Sequence, residues 1–329
     1  MNFLYTFDSN YLQHAIASMT SICRTNDWDK DLTFYTLVDS LADGDIKILK
    51  SLEKKFLCRV VCIEINGFMS KYMPNFDTKG WNEVIMARLL MNQFLPQDLD
   101  RIIYLDGDTI VRNPIEKLWN TDLHQYCLGA VVEPTVSTAT KKRLNLVNKP
   151  YFNSGVLLVD LNKWRSQNIE ERLMTICSKM GDDLIAGDQD ALNVIMDGEF
   201  CELSPTYNYV NSFYYYPYDL LAKLEKPSVF VNKNEFSQIR LNPSIVHYLG
   251  EDRPWRRGNT HRYSADYWSN VHASPFASCA KEEQGWNLYF KAWRIFNLLM
   301  APIPKVRLWM LQALIPTFLK YRASMRIRK

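Results

Sequence analysis

Short apolar runs rich in β-branched and aromatic residues recur through the first third of the chain: NFLYTF at 2–7, LTFYTLV at 32–38, RVVCIEI at 59–65 and RIIYLD at 101–106. Between them, near 11–24, 43–57 and 82–95, apolar residues fall at helical spacing. Strand alternating with helix predicts a mostly parallel sheet with helices on its faces. Further along, CLGAVVE (127–133) and SGVLLVDL (154–161) read as strands. Residues 162–179 and 188–196 read as helices that Asn162 or Asp188 could cap, 205–245 as an aromatic, loop-like stretch, and SIVHYL (244–249) as a last strand. Ligands of such sheets sit at the carboxyl ends of the strands. Thr6, Asp8 and Asn10 lie there after the first predicted strand and Asp106 and Asp108 after the fourth, so polar groups distant in sequence are predicted to gather at one edge.

Length and composition restrict the class of protein. At 329 residues and 38.6 kDa, with 47% hydrophobic and 23% charged residues, the chain is neither disordered nor collagen-like, and it shows no repeats. A main domain over 1–270 with a helical appendage over 271–329 is expected. Seven scattered cysteines, an odd number, argue against a disulfide framework and against zinc, and suit a reducing compartment. The opening MNFLYTFDSN carries no basic segment and reaches Asp8 before an apolar run could form, so no signal peptide is expected and cytoplasmic residence is the default.

The net charge of +3 hides an asymmetry. Residues 291–329 hold nine Lys/Arg and no Asp/Glu, leaving thirty basic against thirty-six acidic residues elsewhere, a net −6. Interleaved with those charges are Trp293, Phe296, Leu298, Leu299, Trp309, Leu311, Leu314, Phe318 and Tyr321, a pattern suited to helices lying in a membrane interface. Pro302, Pro304 and Pro316 divide the segment, and no uncharged stretch is long enough to span a bilayer. A basic helical pair docked on the main domain, or pairing two copies into a homodimer, fits the same pattern. An acidic remainder argues against nucleic-acid binding.

Candidate chemistry centres on Asp106-Gly107-Asp108. In extended backbone, residues i and i+2 point to one side, so both carboxylates can meet one divalent cation, and hard oxygen ligands suit Mg²⁺ or Mn²⁺. Asp-rich surface turns share the pattern, but here an apolar strand delivers it, Arg88 precedes it on a predicted helix, and Thr109-Ile110-Val111 continues into sheet.

With these residues in view, the chain resembles the retaining glycosyltransferases of family 8, particularly bacterial enzymes that extend lipopolysaccharide or glycoprotein glycans with galactose or glucose. The resemblance runs from Thr6 to about Arg257 through YTFDSNY (5–11), MARLL (86–90), RIIYLDGDTIVRNPIEKLW (101–119), YFNSGVLLVDLNKW (151–164), GDQDALN (187–193) and HYLGEDRPWRR (247–257). It implies a single Rossmann-like α/β nucleotide-sugar domain of the GT-A type, followed by helices.

By that resemblance Asp106, Asp108 and His247 are the metal ligands for Mn²⁺ or Mg²⁺. Thr6, Asp8 and Asn10 match the segment holding uridine and ribose, and Asp106, Gly107, Gly250 and Arg253 the diphosphate region. Arg253 stands where the family commonly has lysine, which keeps the charge and changes its geometry. Arg88, Asn153, Asp188 and Gln189 match residues around the transferred sugar, and Glu133 a further acidic residue contacting donor or acceptor. Read without the resemblance, Asp188 is a helix N-cap, Asn153 a turn residue and Arg88 a surface ion-pair residue.

The implied activity is metal-dependent, retaining transfer of galactose or glucose from UDP-galactose or UDP-glucose to a glycan acceptor, by an enzyme peripheral to the inner face of the cell membrane. The alternatives are a glucosyltransferase acting on a soluble protein primer, and a silent nucleotide- or glycan-binding module docked on membrane. The rings at 206–218, Thr206-Tyr207-Asn208-Tyr209 and Phe213-Tyr214-Tyr215-Tyr216-Pro217-Tyr218, fit acceptor stacking and core packing equally.

Overall fold

The computed structural model describes residues 1–314 except 30, 75, 79–81 and 182. Pro316, Phe318, Lys320, Tyr321, Arg322, Arg326, Arg328 and Lys329, all part of the basic tail pattern, lie outside the described residues.

Among the described residues nine strands form in chain order: β1 Asn2–Asp8, β2 Leu32–Asp39, β3 Cys58–Glu64, β4 Arg101–Leu105, β5 Thr109–Val111, β6 Leu128–Val132, β7 Phe152–Asp160, β8 Cys201–Glu202 and β9 Ile245–His247. Seven make one sheet ordered β3-β2-β1-β4-β7-β6-β8. The β3-β2-β1-β4 half is parallel, as expected for strands joined through helices. Strand β7 runs antiparallel between β4 and β6, so the sheet is mixed across its centre. The run after Asp108 leaves the main sheet: β5 pairs antiparallel with β9 in a separate two-stranded ribbon, Thr109 opposite His247. That pairing draws the DGD turn and the distant histidine together.

Side-chain alternation divides the interior into two cores. Phe3, Tyr5, Phe7, Ile103 and Leu105 face one, beneath the helix Leu12–Thr25. Leu4, Ile102 and Tyr104 face the other, with Met86, Ala87 and Leu89. Burial on both faces explains why β1 and β4 read as continuous apolar runs. The helix Leu12–Thr25 is buried at every position from Leu12 to Cys23, because Ser264–Ala273 packs along its far side. Its polar residues are matched there: Gln13 Nε2 donates to the Tyr267 hydroxyl at 2.9 Å, and Ser18 Oγ lies 2.9 Å from Tyr5 OH and 3.0 Å from Thr109 Oγ1.

Local detail departs from the sequence pattern in several places. Glu83–Gln93, which carries Arg88, is a tight 3₁₀-type helix interrupted at Leu90. The stretch 162–179 is two helices, Leu161–Ser166 and Ile169–Met180, separated at Asn168 with φ 51°. Asp160, not Asn162, caps the first, accepting from Lys163 N at 2.9 Å. Gly187 occupies the cap position of Asp188–Met196, which frees Asp188 for the cleft. Residues 205–245 contain helices at Asn211–Tyr215, Tyr218–Leu224 and Lys233–Leu241, and the rings of Tyr209, Phe213 and Tyr216 in this stretch are core. All seven cysteines are free thiols.

The helix Ser264–Ala273 crosses the expected boundary at 270, and the appendage beyond it carries the helix Asn287–Met300 and continues as helix over 304–314. Among the described residues no helix is long and apolar enough to cross a membrane. Phe290, Trp293, Phe296 and Asn297 face the protein, whereas Leu288, Ile295, Leu298, Leu299 and Trp309 are exposed.

Glu225 ends the helix Tyr218–Leu224 with its carboxylate buried, and burial, with Glu202 and Glu133 nearby and Lys141 in partial opposition, pushes it up to about 8. A carboxyl that holds its proton longer folded than unfolded loses stability as pH rises from the ordinary glutamate range toward 8, at most about 1.4 kcal/mol per unit. Glu225→Gln, neutral in both states, is therefore expected to raise Tm over wild type at pH 8 and to give little change at pH 4.5. Thermal melts at the two pH values check this; an equal shift at both would remove the ionisation as its cause.

Candidate active site

The carboxyl ends of β1 and β4, the DGD turn, the start of β7 and the segment after β9 enclose a cleft of about 710 Å³. All the site residues named from the sequence line it: Thr6, Asp8, Asn10, Arg88, Asp106, Gly107, Asp108, Asn153, Asp188, Gln189, His247, Gly250 and Arg253. Glu133 lines it too. None of the rings at 206–218 does, so acceptor stacking by that run is not supported; those side chains pack in the core or against the appendage.

At the centre, ligand atoms of Asp106, Asp108 and His247 lie within 4.8 Å of one another. His247 Nε2 is 3.2 Å from Asp108 Oδ1 and 3.6 Å from Asp106 Oδ2. The other ring nitrogen, Nδ1, donates to Asn208 Oδ1 at 2.9 Å, and Asn208 Nδ2 donates to Asn153 Oδ1 at 2.8 Å, which turns Nε2 toward the carboxylates. Two carboxylates and an imidazole nitrogen converging in this way fit a divalent cation of the magnesium or manganese type.

Gly155 makes the arrangement sterically feasible. A Cβ there would stand 2.6 Å from His247 Nδ1 and 2.9 Å from Asp106 Oδ2. Gly250 has φ +67°, the left-handed region that glycine tolerates best, and turns the chain from β9 toward Arg253.

Two guanidiniums balance the carboxylates. Arg88, almost wholly buried, reaches Asp106 Oδ1 at 2.9 Å through Nη2 and Asp188 Oδ2 at 3.1 Å through Nε, donates to Ser154 O at 3.0 Å, and lies 4.3 Å from the centre of the Tyr104 ring. Tyr104 OH donates to Asp106 Oδ1 at 2.7 Å and Thr6 Oγ1 lies 3.1 Å from it. Arg253 Nη2 is 3.3 Å from Asp108 Oδ2. Burial alone would raise the Asp108 carboxyl, but His247 and Arg253 outweigh it and hold it at about 2. For Asp188 burial wins, pushing it up to about 6 even against Arg88.

Asp8 is committed locally, its Oδ1 accepting from the N–H groups of Asn10 and Tyr11 and its Oδ2 from Asn82 Nδ2 at 2.6 Å. Gln189 is fixed at both ends: Oε1 accepts from Ser154 N at 3.0 Å, and Nε2 donates to Tyr151 OH at 3.2 Å. Tyr151 in turn donates to Asp190 Oδ1 at 2.6 Å, and Asp190 Oδ2 accepts from Ala186 N and lies 3.3 Å from Arg143 Nη2. Sequence reasoning missed Asn82, Tyr104, Tyr151, Ser154, Gly155, Asp190 and Asn208. Tyr104, Tyr151, Ser154, Gly155 and Asp190 stand inside the quoted motifs and Asn82 just before one, whereas Asn208 stood inside an aromatic run that pointed elsewhere.

The profile described as "Glycosyl transferase family 8" matches residues 2–259. General stress protein A of Bacillus subtilis is 27% identical over 272 residues, 82% of this chain and 92% of that protein. Lipopolysaccharide 1,2-glucosyltransferase of Escherichia coli K12 is 28% identical over 262 residues, 78% of this chain and 73% of that one. A crystal structure of the galactosyltransferase LgtC with donor and acceptor sugar analogues shares the fold at a TM-score of 0.70 and 22% identity, over 83% of this chain and 96% of that one.

Gly155→Ala is expected to displace His247 and weaken the binding of a divalent cation at this cluster, probed with Mn²⁺, by roughly 10- to 100-fold while the protein stays folded. Titration calorimetry with Mn²⁺, beside far-UV circular dichroism, checks it. Unaltered affinity would mean that the ring has room the backbone does not suggest.

Proposed function

The chain belongs to glycosyl transferase family 8, and on that premise we propose that this hexosyltransferase moves galactose or glucose from UDP-galactose or UDP-glucose to a glycan acceptor with retention of configuration. The observation that carries the reading is the convergence of Asp106, Asp108 and His247 beside Arg88, Arg253, Asp188 and Gln189 in one cleft. In this reading the first three hold Mn²⁺ or Mg²⁺; Thr6, Asp8 and Asn10 hold the nucleoside; and Gly107, Gly250 and Arg253 adjoin the diphosphate. A bound divalent cation would supply Lewis-acid stabilisation of the charge on the departing diphosphate.

The protein's own groups shape the rest of the reaction. Arg253 adds fixed positive charge where that negative charge develops, and Arg88 orients the carboxylates around the sugar. A double displacement would need a free carboxylate against the sugar, yet Asp188 is tied to Arg88 and Ser154, and Asp190 to Tyr151, Arg143 and the Ala186 N–H. The amide of Gln189 is a poor nucleophile held in a fixed orientation. We therefore favour same-face substitution, with an oxygen of the leaving diphosphate taking the acceptor proton while Gln189, Asp188 and Asn153 stabilise and position the cation-like sugar.

The division of labour we propose places donor chemistry in residues 1–270 and attachment in 271–329, at the inner face of the cell membrane. Leu298 (77% exposed), Leu299 (62%) and Trp309 (68%) form an outward apolar face beside Lys291, Arg294 and Lys305, a composition suited to an anionic lipid interface.

Release of UDP from UDP-galactose and UDP-glucose, with and without Mn²⁺ and without acceptor, tests the donor reading. One donor should be hydrolysed slowly in a metal-dependent manner, and Asp106→Ala or Asp108→Ala should lower that rate by roughly 100-fold or more. Unchanged metal-dependent turnover in both variants would take these residues out of the metal site. Leu298→Glu with Trp309→Glu should weaken co-sedimentation with phosphatidylglycerol vesicles several-fold and leave UDP release unchanged. Equal sedimentation would assign that face to something other than lipid, a second copy of the chain being the first alternative to examine by size-exclusion chromatography.

A further inference from the structure

The segment after residue 280 holds the 250–257 loop directly at one point, through Glu283, and at a second through the Tyr215 ring, and Arg253 lies between the two in sequence. At the first, Glu283 pairs with the loop through backbone and side chain. Its N–H donates to Trp255 O at 2.8 Å, and Arg257 N–H donates to its carbonyl at 2.9 Å. Its carboxylate accepts from Trp255 Nε1 at 2.9 Å and from Arg256 Nε at 2.8 Å. The Arg256 guanidinium also lies 3.7 Å from the centre of the Trp286 ring and pairs with the Glu251 carboxylate. Loop and appendage are thus joined on both sides of this arginine.

The second point is an aromatic cage around Arg307. Its guanidinium lies 4.4 Å from the centre of the Tyr215 ring, 5.0 Å from that of Tyr216, 5.6 Å from that of Trp293 and 5.9 Å from that of Phe296. Its Nη2 donates to Asn297 Oδ1 at 3.0 Å. Only 4% of the residue is exposed, and among the described residues no carboxylate pairs with it. A buried cation facing rings draws its stabilisation from their π faces, a contact worth more when water is excluded. The Tyr215 ring passes the constraint on, since its hydroxyl donates to Asp252, the residue before Arg253, and accepts from Trp293 Nε1 at 3.3 Å. Asn259 Nδ2 holds the other Asp252 oxygen at 2.7 Å.

Arg253 faces the rings of Tyr11 and Trp255, each 5.4 Å from its guanidinium, and Trp255 is itself held by Glu283. The contact of Arg253 with Asp108 is at 3.3 Å, its buried Nε has no hydrogen-bond partner among the described residues, and the loop follows a glycine in the left-handed region. We propose that the 281–314 segment is a clamp that positions Arg253 for the diphosphate of the donor, with Arg307 and Glu283 as its positioning residues. The proposal rests on the donor reading above, and it gives the appendage a role in donor binding that is separate from attachment to a surface.

The test is a double-mutant cycle read by calorimetry with UDP in the presence of Mn²⁺. Arg307→Met should weaken UDP binding roughly 5- to 10-fold in the otherwise wild-type protein, add no loss in the Arg253→Ala background, and be largely rescued by Arg307→Lys, which keeps a cation among the rings. Hydrogen exchange at 249–257 should rise in Arg307→Met. Glu283→Gln, a milder change at the other grip, should act in the same direction and guards against a folding defect in the first variant. Wild-type affinity and unaltered exchange in both variants would overturn the proposal, as would an equal loss with and without Arg253, which is the mark of general damage. Should the wild type bind no UDP, the donor reading fails and, with it, the assignment of the clamp to a diphosphate; exchange at 249–257 then decides whether the clamp itself exists.

Discussion

Burial of like charges is the constraint from which the site follows. Asp106, Asp108 and Asp188 share one cleft, the last two almost wholly buried, and their mutual repulsion has to be offset by cations for them to stay together. One guanidinium, that of Arg88, bridges Asp106 and Asp188, and Arg253 lies against Asp108. Within this cluster three carboxylates against two guanidiniums leave an excess of about one negative charge, with His247 presenting a nitrogen to the carboxylates. That residual charge suits a divalent cation, and a cation so placed would leave the cleft positive, as an anionic diphosphate requires.

Backbone topology makes this cluster affordable. Strand β7 brings Ser154 and Gly155 beside the end of β4, where Asp106 N–H donates to Gly155 O at 2.8 Å. The β5–β9 ribbon seats His247 above that glycine, and Asn208 holds the ring from behind. The metal-site candidate is consequently assembled from three distant stretches of chain, each anchored in strand or ribbon. Gln189 and Asp188 arrive on a fourth element, the helix that opens at Gly187, and lock onto Ser154. Rigid placement of this kind matters for transfer chemistry, where small displacements of a reacting group cost large factors in rate.

The sequence made the strands and the carboxylates visible for physical reasons. A strand buried on both faces has to be almost continuously apolar, so RIIYL announced itself and delivered Asp106 and Asp108 at a predictable edge. The helices near 82–95 and 162–179 were legible as apolar periodicity but not as geometry, since a 3₁₀ turn or a break at Asn168 leaves that periodicity almost intact. Asn208 could not be read at all: its role is a hydrogen bond across 39 residues, and composition around it spoke only of rings. The antiparallel insertion of β7 escaped for a similar reason, because an apolar run carries no sign of its direction.

The tail shows the same limit most sharply. Charge counting put Arg307 with the lysines and arginines of a lipid-facing surface, yet it is among the most buried charges in the chain, while Leu298 and Trp309 lie outside. Trp293 and Phe296, spaced for the same helix, face inward because Tyr215, Tyr216 and Arg307 give their rings something to stack on. A basic aromatic helix therefore has two chemistries, one spent on the protein and one left for the outside, and only packing separates them. The inward chemistry ends on the loop that carries Arg253, through Tyr215 and Asp252, whereas Leu298 and Trp309 make no part of that path, so the two faces of one helical segment can serve separate ends.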